Sequence, residues 1–420
     1  MKVKRRLALF LAVSTALALT ATACSSSSGS SATGGGASAG AAPYKIGFIT
    51  SLSGPYASTL DVSLKAAQAR VDLQNAQGGV NGHKIQLIAA DDGGSPTTAL
   101  TAAQELVESK GVLAVAPVSY VTSAMANYLH SAGVAVVGAN IDGPEWGTQP
   151  NTNMFGTMGY MSPDYPANTT IALLFKKMGA TNVACVGNNN PSGASACEGL
   201  KTAAKAVGVN LVYTNVSLSL TSTDFTSLAL ALKNSHATGM MLNLASSQAL
   251  PLMVSLYQAG VKIPAEILAE GYGTQLLTSS SYVQAGQGVL FESQFTPVEI
   301  KNAGTEQMQA ALSKYENITG IPDFNAYEGW IALDLLIQGL KNAGQTATKS
   351  SIISGMQQVT SYNADGVETS TLSFAPSGFG KGAATQGANG CTYFVKLTNT
   401  TYSSVTPQPI CGQIVAAAGE

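Results

Sequence analysis

The 420-residue chain holds 21 basic and 23 acidic side chains, a formal net charge of −2, with 45% hydrophobic residues and a mean hydropathy of +0.17. Four basic and no acidic residues fall in the first 23, so the remaining chain carries 17 − 23 = −6. A mildly acidic body lacks the basic footprint of nucleic-acid binding, and its length suits two or three globular domains.

The chain opens with Lys2, Lys4, Arg5 and Arg6, followed by an apolar run from Leu7 to Leu19. That run is too short to span a bilayer, which takes about 20 residues. A charged start, a short apolar middle and small residues before a cut site describe a secretory signal peptide over residues 1–23. The small residues are Ala21, Thr22 and Ala23, and Cys24 follows. This resembles the lipobox of bacterial lipoproteins, whose cysteine is acylated and becomes the mature N-terminus; Ala21 departs from the usual leucine. Residues 25–42 are Ser, Gly, Ala and one Thr. They cannot bury enough surface to offset chain entropy, so the segment 24–43 is expected to act as a flexible tether.

From Tyr44 onward short apolar runs alternate with helical stretches. Strands are expected at Lys45–Thr50, Lys84–Ala90, Val112–Ala116 and Val134–Gly138. Helices are expected between them, at Leu60–Asn75, Pro96–Ser109 and Thr122–Ala132. The alternation restarts with a helix over Pro163–Met178, then strands Asn182–Val186, Val209–Tyr213, Gly239–Asn243 and Glu266–Ala269. Their intervening helices are Ala194–Val207, Asp224–Asn234 and Ser247–Ala259. Strands alternating with helices of this length imply βαβ units and parallel sheets. A third region has helices at Thr305–Tyr315, Asn325–Asn342 and Ser350–Gln358, and β character returns at Leu372–Phe374 and Thr392–Leu397.

Motifs of catalysis are absent: no G-x-S-x-G, no H-E-x-x-H and no P-loop. The glycine-rich run Gly378–Gly382 follows a Pro-Ser turn and leads into no helix pattern, so it reads as a loop. No catalytic residue, cofactor or metal is expected. The histidines His83, His130 and His236 are scattered, and no cysteine pair has the ligand gap of a zinc site. With Cys24 acylated, Cys185, Cys197, Cys391 and Cys411 remain for an exported compartment that permits disulfides. Four cysteines allow three connectivities; the sequence-local pairings 185–197 and 391–411 are the expected ones.

The first lobe carries an ordered series of motifs: Ile46-Gly-Phe-Ile-Thr-Ser-Leu-Ser-Gly54-Pro55, Asn75-Ala-Gln-Gly78-Gly79-Val-Asn81-Gly82, Ile85-Gln-Leu-Ile, Asp91-Asp92 and Gln104-Glu-Leu-Val. The series resembles the branched-chain amino-acid (Leu/Ile/Val-type) binding proteins, the substrate-binding subunits of bacterial ABC importers. The resemblance implies an α/β, two-lobed type I periplasmic-binding-protein fold. Each lobe is then a mostly parallel sheet flanked by helices, and the chain crosses between them three times. Lobe 1 would comprise 44–160 and 295–390, and lobe 2 161–294 and 391–420. Ligand would sit between the lobes, at the carboxyl edges of the sheets where open α/β sheets bind.

Carried over position by position, the resemblance puts Ser119 on the principal hydroxyl position for a ligand carboxylate. It puts Asn140 and Asp142 on positions of a backbone carbonyl and a threonine, and gives Glu270 the ligand ammonium. Two positions that are commonly aromatic fall on Ala245 or Ser246 and near Ala196, so the pocket gains space; Tyr120, Tyr272 and Tyr327 are the tyrosines that could replace those walls. The function implied is an extracytoplasmic solute-binding lipoprotein on the outer face of the cell membrane. It would be a monomer that captures a small polar solute (an amino acid, an amide or a related compound) and hands it to a permease and its ATPase. A sensor domain of the same fold is the alternative, which would call for a transmembrane helix or partner domain in the chain. A hydrolase using Asp142 and Glu270 is a third reading, disfavoured because the two would lie on opposite lobes.

Overall fold

The computed structural model describes residues 41–138, 143–147, 150–157, 167–376 and 390–415. Cys24, Asn140, Asp142 and the Gly378–Gly382 run lie outside the described residues. Among the described residues no helix is long and apolar enough to cross a membrane.

The first sheet is built from β1 (Ala41–Thr50), β2 (His83–Asp91), β3 (Ala114–Pro117), β4 (Ala135–Gly138) and β5 (Met154–Gly156). Its order is β2-β1-β3-β4-β5 and every pairing is parallel. Strand β1 is interior, which explains why Ile46 to Thr50 is an unbroken buried run rather than an alternating one. Ile46 and Phe48 face α1 (Ala57–Ala76). Ile49 faces the opposite layer of α2 (Pro96–Gln104) and α3 (Ser123–Ser131). The helix expected over Pro96–Ser109 is α-helical only to Gln104; Glu105–Lys110 widens into a π turn that Gly111 closes at φ 68°.

The second sheet runs β8 (Asn210–Leu218), β7 (Asn182–Asn188), β9 (Gly239–Asn243), β10 (Ala265–Leu268) and β11 (Leu290–Ser293) in parallel. β12 (Cys391–Thr398) and β13 (Thr401–Ser404) then extend it antiparallel. Its helices are α4 (Thr170–Lys177), α5 (Pro191–Val207), α6 (Thr226–Asn234) and α7 (Ser246–Gln258), with the short α8 (Thr274–Leu277) and α9 (Ser280–Ala285). The helix expected over Pro163–Met178 is shorter in the folded chain. Ala167–Asn168 is a short strand, β6, paired antiparallel with β15 (Ile414–Val415). The helix starts only at Thr170, whose N–H the Asn168 Oδ1 accepts at 3.0 Å. Disulfides join Cys185 on β7 to Cys197 on α5, and Cys391 on β12 to Cys411 on β14 (Ile410–Cys411). Both are the pairings expected from the sequence.

The chain after β11 returns to the first sheet through α10 (Ala303–Glu316), α11 (Phe324–Asn342) and α12 (Lys349–Gln357). Helix α11 is apolar nearly all round because it is buried from Phe324 to Leu340. Ala332 to Leu340 pack on the first sheet with Ile46, Phe48 and Leu60, while Tyr327, Trp330 and Ile331 join the cluster of Leu250, Tyr272 and Phe291 on the second. Helix α1 is shared in the same way, Ala67 and Val71 on one side and Ala66 and Ala69 on the other. The two helices touch backbone to backbone. A Cβ on Gly329 would stand 2.0 Å from the Ser63 carbonyl oxygen, so only glycine fits that crossing. Beside it, Arg70 Nε donates to Asp334 Oδ1 at 2.7 Å, and both side chains are at most a tenth exposed.

Candidate functional site

The carboxyl ends of β7, β9, β10 and β11 open toward α1 and the β3–α3 turn of the first sheet. Side-chain hydrogen bonds cross between the sheets there. Tyr120 Oη donates to Glu270 Oε1 at 2.5 Å. Asn190 Nδ2 donates to Tyr56 Oη at 2.8 Å, and Thr59 Oγ1 donates to Ser247 Oγ at 3.1 Å. The rings of Tyr56 and Tyr120 lie 4.7 Å apart. Tyr120 and Glu270 are also walls of a cavity of about 230 Å³ that continues between α5 and the second sheet.

Glu270 lies two residues past the end of β10, which puts its carboxyl at the sheet edge. Ser246 opens α7, and its backbone N–H donates to Glu270 Oε2 at 3.1 Å. That is one of the helix N-terminal donors left without an intrahelical partner. Burial pushes the Glu270 carboxyl up to about 7. The Tyr120 hydroxyl and the Ser246 N–H restrain the rise, and the Asp323 carboxylate adds to it. Burial, followed by the nearby Glu270 and Glu328 carboxylates, pushes Tyr120 far above the phenol range, so its hydroxyl keeps the proton it donates.

The structure brings some of the expected residues together here and sends others elsewhere. Tyr120 and Glu270 line the cavity, as do Ala245 and Ala196, the small residues on commonly aromatic positions. Ser246 contributes its backbone N–H. Ser119 is not in the lining: fully buried, it donates to Asp92 Oδ2 at 2.5 Å. Asp92 also accepts from Ser51 Oγ at 2.5 Å and from the Gly94 N–H at 2.7 Å, so the Ser119 hydroxyl ties the ends of β1, β2 and β3. Asp91 closes the neighbouring turn by accepting from Ser53 Oγ and from the N–H groups of Leu52, Ser53 and Gly93. Tyr272 and Tyr327 are core residues. Tyr272 Oη donates to Glu299 Oε2 at 2.5 Å, and Tyr327 stacks on Phe295 at 5.6 Å.

Three polar side chains of the site were not anticipated. Asn188 ends β7, donating to Gln248 and accepting the Ala245 N–H at 3.1 Å. Asn190 caps α5 by accepting the Gly193 N–H at 2.7 Å while reaching Tyr56. Glu292 on β11 lines the cavity with 7% of its surface exposed. The sequence carried a signal for it: a carboxylate inside the apolar run Val289-Leu-Phe-Glu-Ser is costly to bury and calls for a reason.

Comparison with known proteins decides the family. The periplasmic binding protein family model matches residues 43–401. This chain belongs to that family. The Leu/Ile/Val-binding protein homolog 3 of Brucella melitensis biotype 1 is 28% identical over 348 residues, 80% of this chain and 88% of its own. Among solved structures, a fatty acid ABC transporter substrate-binding protein from Thermomonospora curvata superposes with a TM-score of 0.73 at 20% identity, covering 89% of this chain and 93% of its own. The branched-chain amino acid transporter substrate binding protein LivJ from Streptococcus pneumoniae, solved with isoleucine, gives 0.68 at 18% identity, covering 88% and 99%. The Leu/Ile/Val-type resemblance and the type I periplasmic-binding-protein fold both hold.

The buried acids of this family member make its stability fall with rising pH. Glu292, like Glu270, is pushed up to about 7 by burial, against a hydrogen bond from Thr392, and Asp323 is raised to about 6 by burial. In the unfolded chain the two glutamates titrate near 4.5 and Asp323 near 3.8. Between about 4.5 and 7 the folded protein therefore holds protons that the unfolded chain has released. Stability is fully supported below that window and declines through it, by about 1.4 kcal/mol per group per pH unit. Solute-free protein should melt at a higher temperature at pH 5.5 than at pH 8. The Glu270→Gln, Glu292→Gln double variant should flatten that slope. Equal slopes for both forms would refute the assignment.

Proposed function

We propose that this chain is the extracytoplasmic solute-binding subunit of an ABC importer. It captures a small polar solute, an amino acid, an amide or a related compound, between its lobes and presents it to a membrane permease driven by an ATPase. The observation that carries this reading is the buried Glu270 carboxyl at the sheet edge, met across the cleft by Tyr120. A carboxyl there can accept from a solute's ammonium or amide, and a solute contacting both lobes favours the closed arrangement by its differential affinity for it. The name of the Brucella relative and the isoleucine of the Streptococcus structure support an amino-acid-like solute. The protein should be isolated without denaturant, then unfolded, and the released small molecules identified by mass spectrometry. A stoichiometric donor-bearing solute is expected. Absence of any such molecule, with no heat on titrating amino acids, amides and polyols, would overturn the reading.

The reading extends to the chain's placement and segmentation. Residues 1–23 act as a signal peptide, Cys24 is acylated, and 24–43 tether a monomeric body to the outer face of the membrane. Lobe 1 is 44–160 with 295–390, and lobe 2 is 161–294 with 391–420. The support is the Ala21-Thr-Ala-Cys24 sequence and the uncharged Ser/Gly/Ala run behind it. Two or more acyl chains hold firmly, at about 0.8 kcal/mol per buried methylene. Cys24→Ser should move the protein from the membrane fraction to the soluble one; full retention in the membrane would rule the anchor out.

A further inference from the structure

The cavity reaches well past the cleft, and its inner end has a different character. Strand alternation fixes the geometry. Leu290 and Phe291 lie on opposite faces of the second sheet, Leu290 with Cys197 and Leu200 of α5, Phe291 with the cluster of Tyr272. Glu292, two residues after Leu290, returns to the α5 face. There it shares a chamber with Met241, Ala269, Ser195, Ala196 and Gly199. The chamber exists because α5 presents Ser, Ala and Gly where larger side chains would close the gap to the sheet. Phe295 and Tyr327, which could have filled space from the other side, are packed in the opposite layer.

Charge gives the chamber its selectivity. The cavity's described lining holds two carboxyl groups, Glu270 at the cleft and Glu292 inside, and no Lys, Arg or His. The three ion pairs among the described residues lie elsewhere, and the Thr392 hydroxyl bonded to Glu292 brings no positive charge. A carboxyl buried this far without a cation is costly to the protein alone, and a solute that brings the cation or the donors recovers that cost. Parallel strands lie about 4.8 Å apart, and β10 and β11 pair directly, Ile267 with Leu290 and Leu268 with Phe291. Ile267 and Ala269 share the α5 face with Leu290 and Glu292 while Leu268 lies on the other, so alternation turns Glu270 away from Glu292 although the two stand close along the sheet edge.

We propose that Glu292 is a second solute-binding carboxylate, and that the solute is elongated and carries amino or guanidino groups at both ends. One end meets Glu270 beneath Tyr120 and the other enters the chamber under α5 to meet Glu292. This rests on the solute-binding reading above and narrows its substrate class. Small apolar walls along the chamber, Ala269, Met241 and Ala196, suit the methylene stem between the two ends. The same acids disfavour a solute with a bare aliphatic end, since inserting it would strip water from Glu292 and return no hydrogen bond.

The test is calorimetry on the full chain with L-lysine, L-arginine, agmatine and 1,5-diaminopentane, against L-norleucine and L-leucine as probes that lack the inner donor. At least one two-ended probe should bind ten or more times more tightly than norleucine. Glu292→Gln, which preserves shape, should erase that preference, and Ala196→Phe should exclude the two-ended probes by filling the chamber. Thermal melts of each variant confirm folding. Affinity for a two-ended probe should also rise from pH 5.5 to pH 8 in the wild type and rise less steeply in Glu292→Gln, where only Glu270 still titrates at the site. Norleucine or leucine binding as tightly as every two-ended probe, or two-ended affinity unchanged by Glu292→Gln, overturns the two-ended solute and leaves the solute-binding reading intact. No binding by any probe, with no co-purified molecule, overturns both.

Discussion

Glu270→Ala should weaken binding of the co-purified solute at least tenfold. The Glu270 carboxyl is buried, at the end of β10, and takes one hydrogen bond from each lobe, Tyr120 from the first and the Ser246 N–H from the second. A solute donor that reaches this carboxyl makes a charge-assisted bond out of water, where such bonds are strong. Truncating a buried charged partner commonly costs about 2–5 kcal/mol, and each 1.4 kcal/mol or so is tenfold in Kd. Tyr120→Phe should behave differently. It removes the bond across the cleft while sparing the carboxyl, so it should change the closure equilibrium more than the intrinsic contact. Ser119→Ala should show as lost stability with little change in affinity, because its hydroxyl is spent on Asp92. Calorimetry and denaturant melts on the three variants separate these effects. Unchanged affinity in Glu270→Ala would remove Glu270 from the site.

Asp334→Ala should cost about 3–5 kcal/mol of stability, the range for removing one partner of a buried ion pair. Asp334 on α11 accepts from Arg70 of α1 at 2.7 Å and from the Tyr362 hydroxyl at 3.0 Å. Arg70 also lies 5.7 Å from the centre of the Trp330 ring and 3.4 Å from Gln74 Oε1. With Asp334 gone, a guanidinium remains buried beside an indole with no anion. Its helices are the two that serve both lobes, so the loss should appear in global unfolding and not in one lobe alone. The Arg70→Met, Asp334→Leu double variant should recover much of the loss, since apolar replacement of both partners spares the desolvation cost. Urea denaturation of the three forms measures this. A single variant as stable as wild type would show that the pair contributes nothing.

Much of this molecule was legible without coordinates. Strands β1, β3 and β4 stand out because they are interior to a parallel sheet and read as short unbroken apolar runs. Helices such as those expected at Ala194–Val207 and Asn325–Asn342 stand out because they are long; in the folded chain they begin at Pro191 and Phe324, where the Asn190 and Asp323 side chains cap them. Glu270 could be placed because the resemblance puts its acidic position after a second-sheet strand on that residue. The cysteine pairing was the sequence-local choice among three connectivities, and the folded chain adopts it. What resisted reading were the elements too short to show a period, among them Met154–Gly156, Leu290–Ser293 and Ala167–Asn168.

Tertiary structure alone decided the contents of the site. A sequence places Ser119 and Tyr120 side by side, but only the positions of Asp92 and Glu270 determine that one hydroxyl turns into the first sheet and the other across the cleft. Tyr272 and Tyr327 carry the same chemistry as Tyr120, yet the layer between α11 and the second sheet claims them for the core. Glu292 lines the cavity because α5 leaves a space above it, a property of two elements far apart in the chain that share no local pattern. Local hydrogen bonding and burial periodicity are written along the chain, so the sequence determined the elements, their order and the family. Which polar groups meet, and which of them are already satisfied, depends on distances between segments, and that only the folded chain decides.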